Sequence, residues 1–274
     1  GSEVLLSGGV KGTTEDFQYD LLLEANYTKI EEFTKGFQLG NVLQGSLNIT
    51  GQLKGDTRGF LISEAQVLLD NMPEYGIEAA GKLNYPFSGE NQLSLHAAGE
   101  LASLGYLLNW FEMDMSEFGR AQGSATISGS LENPAIEDFR LRTENSNGLT
   151  VSITGALESM SDATTDTQRH NEVRFDIQAP QLAALQRWTG PLPVEIGPWQ
   201  VSGRLLGNRQ TMSIDNLIFQ NGNRGSTALR IEGAIGEVSG MASKGNSTIS
   251  NVALHASLYA PNTANIADLL SITL

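Results

Sequence analysis

The sequence predicts a mostly β protein: an elongated, curled antiparallel β-sheet repeat array, a β-groove, with short helices between its units. Two recurring phrases and the period they share predict it. The first phrase alternates apolar and polar residues around a glycine, as Leu47-Asn48-Ile49-Thr50-Gly51-Gln52-Leu53, Ala125-Thr126-Ile127-Ser128-Gly129-Ser130-Leu131 and Trp199-Gln200-Val201-Ser202-Gly203-Arg204-Leu205. The second follows each copy, over 77–83, 151–157 and 229–235. Glycines 51, 129 and 203 step by 78 and 74 residues, and glycines 81, 155 and 233 by 74 and 78. Two independent markers with nearly one period define a repeat array.

The elements follow in order. Val4, Leu6, Gly8 and Val10 alternate with Leu5, Ser7 and Gly9, and Gly8 lies 73 residues before Gly81. Residues 1–12 are therefore expected to be the last strand of a truncated preceding repeat. Repeat 1 is assigned to 20–92, repeat 2 to 93–172 with a polar loop at 158–172, and repeat 3 to 173–251 with a polar loop at 237–250. Residues 252–274 open a truncated fourth repeat of the same continuous array. Each repeat reads strand, short helix, strand, strand, strand. The leading strands are 21–27, 93–97, 173–177 and 252–258. Helical spacing follows each of them, at Ile30 and Phe33, Leu101 and Leu104, Leu182 and Leu185, and Ile266 and Leu269. One more strand lies between the two glycine phrases, over 61–69, 136–141 and 214–219. Asn-Gly at 147–148 and 221–222, Asn133-Pro134 and Lys54-Gly55-Asp56 supply turn chemistry between strands.

Residues two apart in a strand share a face. Nearly every strand then has one aliphatic side and one side of Ser, Thr, Asn, Glu or Arg, which describes an antiparallel sheet with one apolar face. The candidate lining of that face is Leu21, Leu23, Leu47, Ile49, Leu53, Ile77, Ala79 and Leu83 in the first repeat. It continues with Leu93, Leu95, Ile127, Leu131, Val151, Ile153 and Leu157 in the second. In the third and fourth it is Val173, Phe175, Ile177, Trp199, Val201, Leu205, Leu229, Ile231, Ile235, Val252 and Leu254. Such a face must be covered. Either the sheet folds over itself into a filled sandwich or β-solenoid, or it curls into a trough with room for something else. About thirteen strands at roughly 4.8 Å would make a trough about 60 Å long.

Composition narrows the partners. A net charge of −14 and a pI near 4.6 argue against nucleic acid and against adhesion to an anionic membrane surface. There are no cysteines, hence no disulfide framework and no thiolate metal site. The opening Gly1-Ser2 has the character of a cloning remnant, so the chain is expected to be an internal piece of a longer protein. The longest apolar stretch, 101–111, is about half a membrane span.

Catalytic constellations do not assemble. His96 and His255 occupy polar slots of repeat-equivalent strands and are expected to face solvent, while His170 sits in a polar loop. Glu112, Asp114 and Glu117 fit a solvated helix face better than a glycosidase pair. Asn26, Asn48 and Asn246 begin glycosylation sequons without further support. Trp110, Trp188 and Trp199 could stack on sugars, but Trp199 falls in an apolar slot. The expectation is no enzyme, no cofactor and no metal.

One stretch adds a resemblance. Residues 176–207 carry a leucine- and alanine-rich helix (182–188), Leu192-Pro193, Gly197-Pro198-Trp199 and Ser202-Gly203-Arg204-Leu205. In this it resembles the AsmA-like family of large bacterial envelope proteins. The second repeat keeps the strand but lacks the prolines, and the first keeps only the rhythm. The resemblance implies a protein anchored in the inner membrane of a diderm bacterium and spanning the periplasm. Phospholipid or another acyl lipid would move along its apolar groove between inner and outer membranes, in the manner of bridge-type lipid transfer. Two alternatives stand beside this: an envelope scaffold that pairs its sheet edges with outer-membrane proteins or assembly factors, and a filled β-solenoid stalk.

Overall fold

The computed structural model describes residues 2–13, 16–29, 45–71, 74–103, 119–131, 134–144, 148–157, 171–181, 197–207, 211–222, 228–239 and 248–261. Alternation becomes strand throughout: β1 (Ser2–Gly12), β2 (Phe17–Tyr27), β3 (Ser46–Asp56), β4 (Gly59–Asn71), β5 (Tyr75–Pro86), β6 (Gln92–Leu101) and β7 (Arg120–Gly129). There follow β8 (Pro134–Glu144), β9 (Thr150–Leu157), β10 (Asn171–Ala179), β11 (Trp199–Gly207), β12 (Thr211–Asn221), β13 (Ala228–Ser239) and β14 (Thr248–Tyr259). These fourteen strands lie in chain order in one antiparallel meander, with β1 first and β14 last among the described residues. By compactness the chain divides into two units, one holding β1–β7 and the start of β8, the other the end of β8 and β9–β14.

Several expectations change in detail. Fourteen strands lie among the described residues, where the sequence suggests about thirteen. Leu101, expected to open a helix, is the last residue of β6 and is buried opposite Tyr75. Lys54, Gly55 and Asp56 do not form a turn: β3 runs through them, and the hairpin closes at Thr57-Arg58. The Tyr19 ring occupies the space a side chain at Gly55 would need, which is why a glycine sits inside this strand. The loops at 158–172 and 237–250 are shorter than expected, because Asn171 and Glu172 begin β10, 237–239 end β13 and 248–250 begin β14. Apart from Leu101, the helical stretches fall outside the described residues, as do Trp110, Trp188, His170, Asn246 and the Glu112–Glu117 cluster.

Register explains the two phrases and corrects the alignment of one. Across the ladder the rows Gly8–Leu21–Leu53, Gly81–Leu95–Ile127 and Gly155–Val173–Leu205 run side by side in equivalent positions. Ile127 is thus the counterpart of Leu53 and Leu205, and the residue matching Gly51 and Gly203 is Ala125 rather than Gly129. The steps from 51 to 125 and from 125 to 203 are 74 and 78, the same order as in the second phrase. The middle phrase is displaced by four residues. An even displacement leaves every side chain on its own face, so the pattern alone could not reveal it. Leu131 pays the consequence: β7 ends at Gly129, and Leu131 lies beyond the strand, 47% exposed, its main-chain N–H donating to Asn91 Oδ1.

A bulge recurs as well. Glu64, Asp138 and Asn216 hold left-handed φ of 52, 48 and 52° within β4, β8 and β12. The ladder shifts register across Gly51 in β3 and across Gly203 in β11, opposite the first and last of these residues. The sequence signal is an apolar step of three instead of two: Ile62 to Ala65, Ile136 to Phe139, Ile214 to Leu217. Such a bulge bends its strand and raises the local twist.

Candidate functional site

The candidate site is the apolar sheet face, taken separately in each unit. In the first unit, cross-strand register brings Val4, Ala25, Ile49, Val67, Ala79, Ala97 and Ala125 into one row. A second row runs Leu21, Leu53, Ile62, Leu83 and Leu93. Leu23, Leu47, Ile77, Leu95 and Ile127 fall on the same side, because each pairs with a residue of like parity. All the candidates in β2, β3, β5 and β6, with Ile127 of β7, are therefore brought onto one face. Most are half-buried; Leu47 is buried.

The second unit repeats the arrangement. Val151, Ile177, Val201, Phe219 and Ile231 form one row, and Val173, Leu205, Ile214, Ile235 and Val252 another. Ile153 faces Phe175, Phe175 faces Gly203, Trp199 pairs with Ala179, and Leu229 pairs with Leu258. Leu157 keeps the parity of Val151 and Ile153 at the end of β9. Val252 and Leu254, on the edge strand, are exposed.

Burial is uneven along the strands. Leu47, Leu69, Tyr75, Leu101 and Ala121 in the first unit, and Leu149, Val151, Ala179 and Trp199 in the second, are all buried. They share the strand ends from which segments 28–45, 102–119 and 180–198 depart. Trp199, 4% exposed, donates its indole N–H to the Gln181 carbonyl at 3.0 Å. Asn221, which the sequence places in a turn, ends β12 opposite Trp199 on the apolar face, with only Gly222 stepping out of the strand. It is buried, and its amide donates to the carbonyl of Gly197 at 3.2 Å. The opposite strand ends carry an aromatic group: Phe60 stacks on Tyr85 with centroids 5.1 Å apart and meets Phe87 edge-on at 6.3 Å.

The other face is mostly polar, and its side chains pair both across strands and along them. In the first unit Gln52 donates to Asp20 at 2.8 Å, Lys54 lies 3.6 Å from Asp20, and Arg120 lies 3.1 Å from Glu100. In the second, Gln178 and Gln200 both donate to Asp176, Gln220 donates to Gln200 at 2.8 Å, and Arg230 meets Glu232 at 2.9 Å. Leu22 and Leu68 are apolar exceptions on this side. His96 and His255 lie on it and are exposed, with His96 Nδ1 3.5 Å from Thr126 Oγ1. A shallow depression of about 490 Å³ opens here between Asn48, Thr50, Gln66, Glu78 and His96. No group of three His, Cys, Asp or Glu among the described residues is placed to hold a metal ion.

Chemically, the apolar faces can take up hydrocarbon without orienting it. They offer methyl and methylene groups in rows, with no directional donor in the middle of the strands. Neither a family model, nor a curated protein, nor a solved structure matches the chain.

Proposed function

We propose that this chain is a segment of a periplasm-spanning envelope protein, related to the AsmA-like family, whose apolar sheet faces accommodate the acyl chains of phospholipid in transit between inner and outer membranes. One observation carries the proposal: register keeps the same side apolar strand after strand, while most of its side chains stay half-buried. A face this long and this uniform is a costly thing to present to water, and acyl chains are a fitting cover. Each methylene withdrawn from water contributes about 0.8 kcal/mol. Uniformity suits passage, since no row holds a chain much more tightly than the next. The glycines and alanines in the rows lower the wall locally without introducing polarity.

Native mass spectrometry of the chain purified without detergent, followed by extraction and lipid analysis, tests the proposal. Phospholipid bound in stoichiometric amount is the expected result. A protein that emerges lipid-free and takes up none from phospholipid vesicles would overturn it.

A further inference from the structure

We propose that the depression on the polar face of β3–β6 is a binding site for a neutral saccharide, whose hydroxyl groups meet Asn48, Thr50, Gln66, Glu78 and His96. The inference stands apart from the lipid proposal, since it concerns the opposite side of the sheet. The depression holds about 490 Å³, within the ~300–1,000 Å³ usual for small-molecule sites. Register sets its groups in two neighbouring rows, Thr50–Gln66–Ala80–His96 and Asn48–Leu68–Glu78–Ala98. Ala80 and Ala98 are the shortest side chains in these rows, so the surface sinks between the longer ones. Gln66 lies two residues past the bulge at Glu64, and such bulges bend a strand and re-aim its side chains.

The second unit supplies the comparison. Gly81 and Gly233 are equivalent and pair with Leu95 and Leu254, so Glu232 is the counterpart of Ala80 and Ser257 that of Ala98. Gln200, Gln220 and Arg230 stand where the first unit has Asn48, Leu68 and Glu78. There the side chains bond to one another: Gln220 donates to Gln200 at 2.8 Å, and Arg230 donates to Glu232 at 2.9 Å and to Gln220 at 3.5 Å. With alanine in place of Glu232 and leucine in place of Gln220, the first unit has no such chain. Among the described residues no hydrogen bond or ion pair engages the side chains of Asn48, Thr50, Gln66 or Glu78. His96 reaches only Thr126 Oγ1, at 3.5 Å. Elsewhere on this face of the same unit Gln52 is bonded to Asp20 and Arg120 to Glu100.

These open groups select the ligand. Amide, hydroxyl and imidazole groups both donate and accept, as ring hydroxyls do, so a polyol satisfies them without carrying charge. An anion would meet Glu78 in a chain of net charge −14. An apolar molecule would leave the amides without partners. The methyl groups of Ala80 and Ala98, with Leu68 at 38% exposure, offer apolar contact for the C–H face of a ring. Neighbouring strands lie about 4.8 Å apart, so the four strands span about 15 Å, room for a short oligosaccharide.

Proton–nitrogen correlation NMR of the wild-type chain, titrated to about 20 mM with maltotriose, cellotriose or tri-N-acetylchitotriose, tests this. At least one of them is expected to shift the side-chain amide signals of Asn48 and Gln66 along a saturating curve, with a Kd of about 1–5 mM. Ala80→Glu gives the first unit the side chain that the second carries at the equivalent place. It should weaken binding at least about tenfold while the signals of the other strands stay where they are. Glu78→Ala should weaken binding as well, with the fold equally intact. The proposal is overturned if none of the three sugars moves the Asn48 and Gln66 signals, if the shifts fall on other residues, or if Ala80→Glu binds as the wild type does.

Discussion

Gly81 lies against the main chain of Ser94: a Cβ placed at position 81 would collide with the Ser94 carbonyl oxygen. The same collision recurs at Gly8 with Asp20, Gly155 with Glu172 and Gly233 with Ala253. The glycine of the second phrase is therefore a close-approach point, where one strand presses on the backbone of the next. The carbonyl cannot swing aside as a side chain could. Gly81→Ala is expected to lower stability by about 2 kcal/mol through forced strand separation, measured by urea denaturation. Gly9→Ala, in open space on β1, should stay within about 0.5 kcal/mol. Equal effects at the two positions would refute the close-approach account.

The left-handed residues Glu64, Asp138 and Asn216 invite a different substitution. Asp138 and Asn216 are residue types that tolerate a left-handed backbone, whereas Glu64 does so at a cost. Glu64→Gly should therefore raise stability by about 1 kcal/mol, and Glu64→Val should lower it by a similar amount. Thermal unfolding of the pair beside wild type reads both signs.

The β3–β4 hairpin predicts a pH effect. Arg58 donates to Asp56 from Nε at 3.1 Å and Nη2 at 2.6 Å, and from its main-chain N–H at 2.7 Å. The side-chain hydrogen bonds first, then the backbone one, hold the Asp56 carboxyl below the usual aspartate range. A depressed folded pKa stabilises above the ordinary value of about 3.9, and the contribution fades as pH falls through the folded pKa. A carboxyl NMR titration should place the Asp56 midpoint below about 3.9, and Arg58→Ala should move it back up. An unshifted wild-type midpoint would mean that the turn contact does not persist in solution.

The lipid proposal makes a face-specific prediction. Ile153 faces Phe175 on the apolar side of β9, and Thr154 faces Arg174 on the polar side. Ile153→Asp should cut retained phospholipid more than about tenfold while costing no more than about 2 kcal/mol in stability. Ile127→Asp should do the same in the first unit. Thr154→Asp, with Arg174 opposite, should leave both quantities near wild type. Equal lipid content in all three variants would remove the apolar face from the argument for lipid.

Alternation was readable without any structure because it repeats every two residues: Leu47, Ile49 and Leu53 declare their shared face in the chain itself. The same periodicity hid the four-residue displacement of the phrase at 125–131, since a slip of four returns each residue to its own side. Only the pairing of Leu95 with Ile127 exposed it. The bulges at Glu64 and Asn216 leave a mark in the sequence, as apolar steps of three, but a period-two pattern absorbs one irregular step as noise. Its glycine neighbour marks Asn221 as a turn residue. Its burial beside Trp199 depends on segment 197–198 arriving from elsewhere in the chain.

By itself, then, the sequence determined strand content and the two unlike faces, both of which are local properties of residue order. The tertiary structure alone decided which strand lies beside which, how far each is shifted and which strand ends are buried. Those follow from backbone hydrogen bonds between residues distant in the chain, and such bonds are made by every residue type alike, so no residue announces its partner.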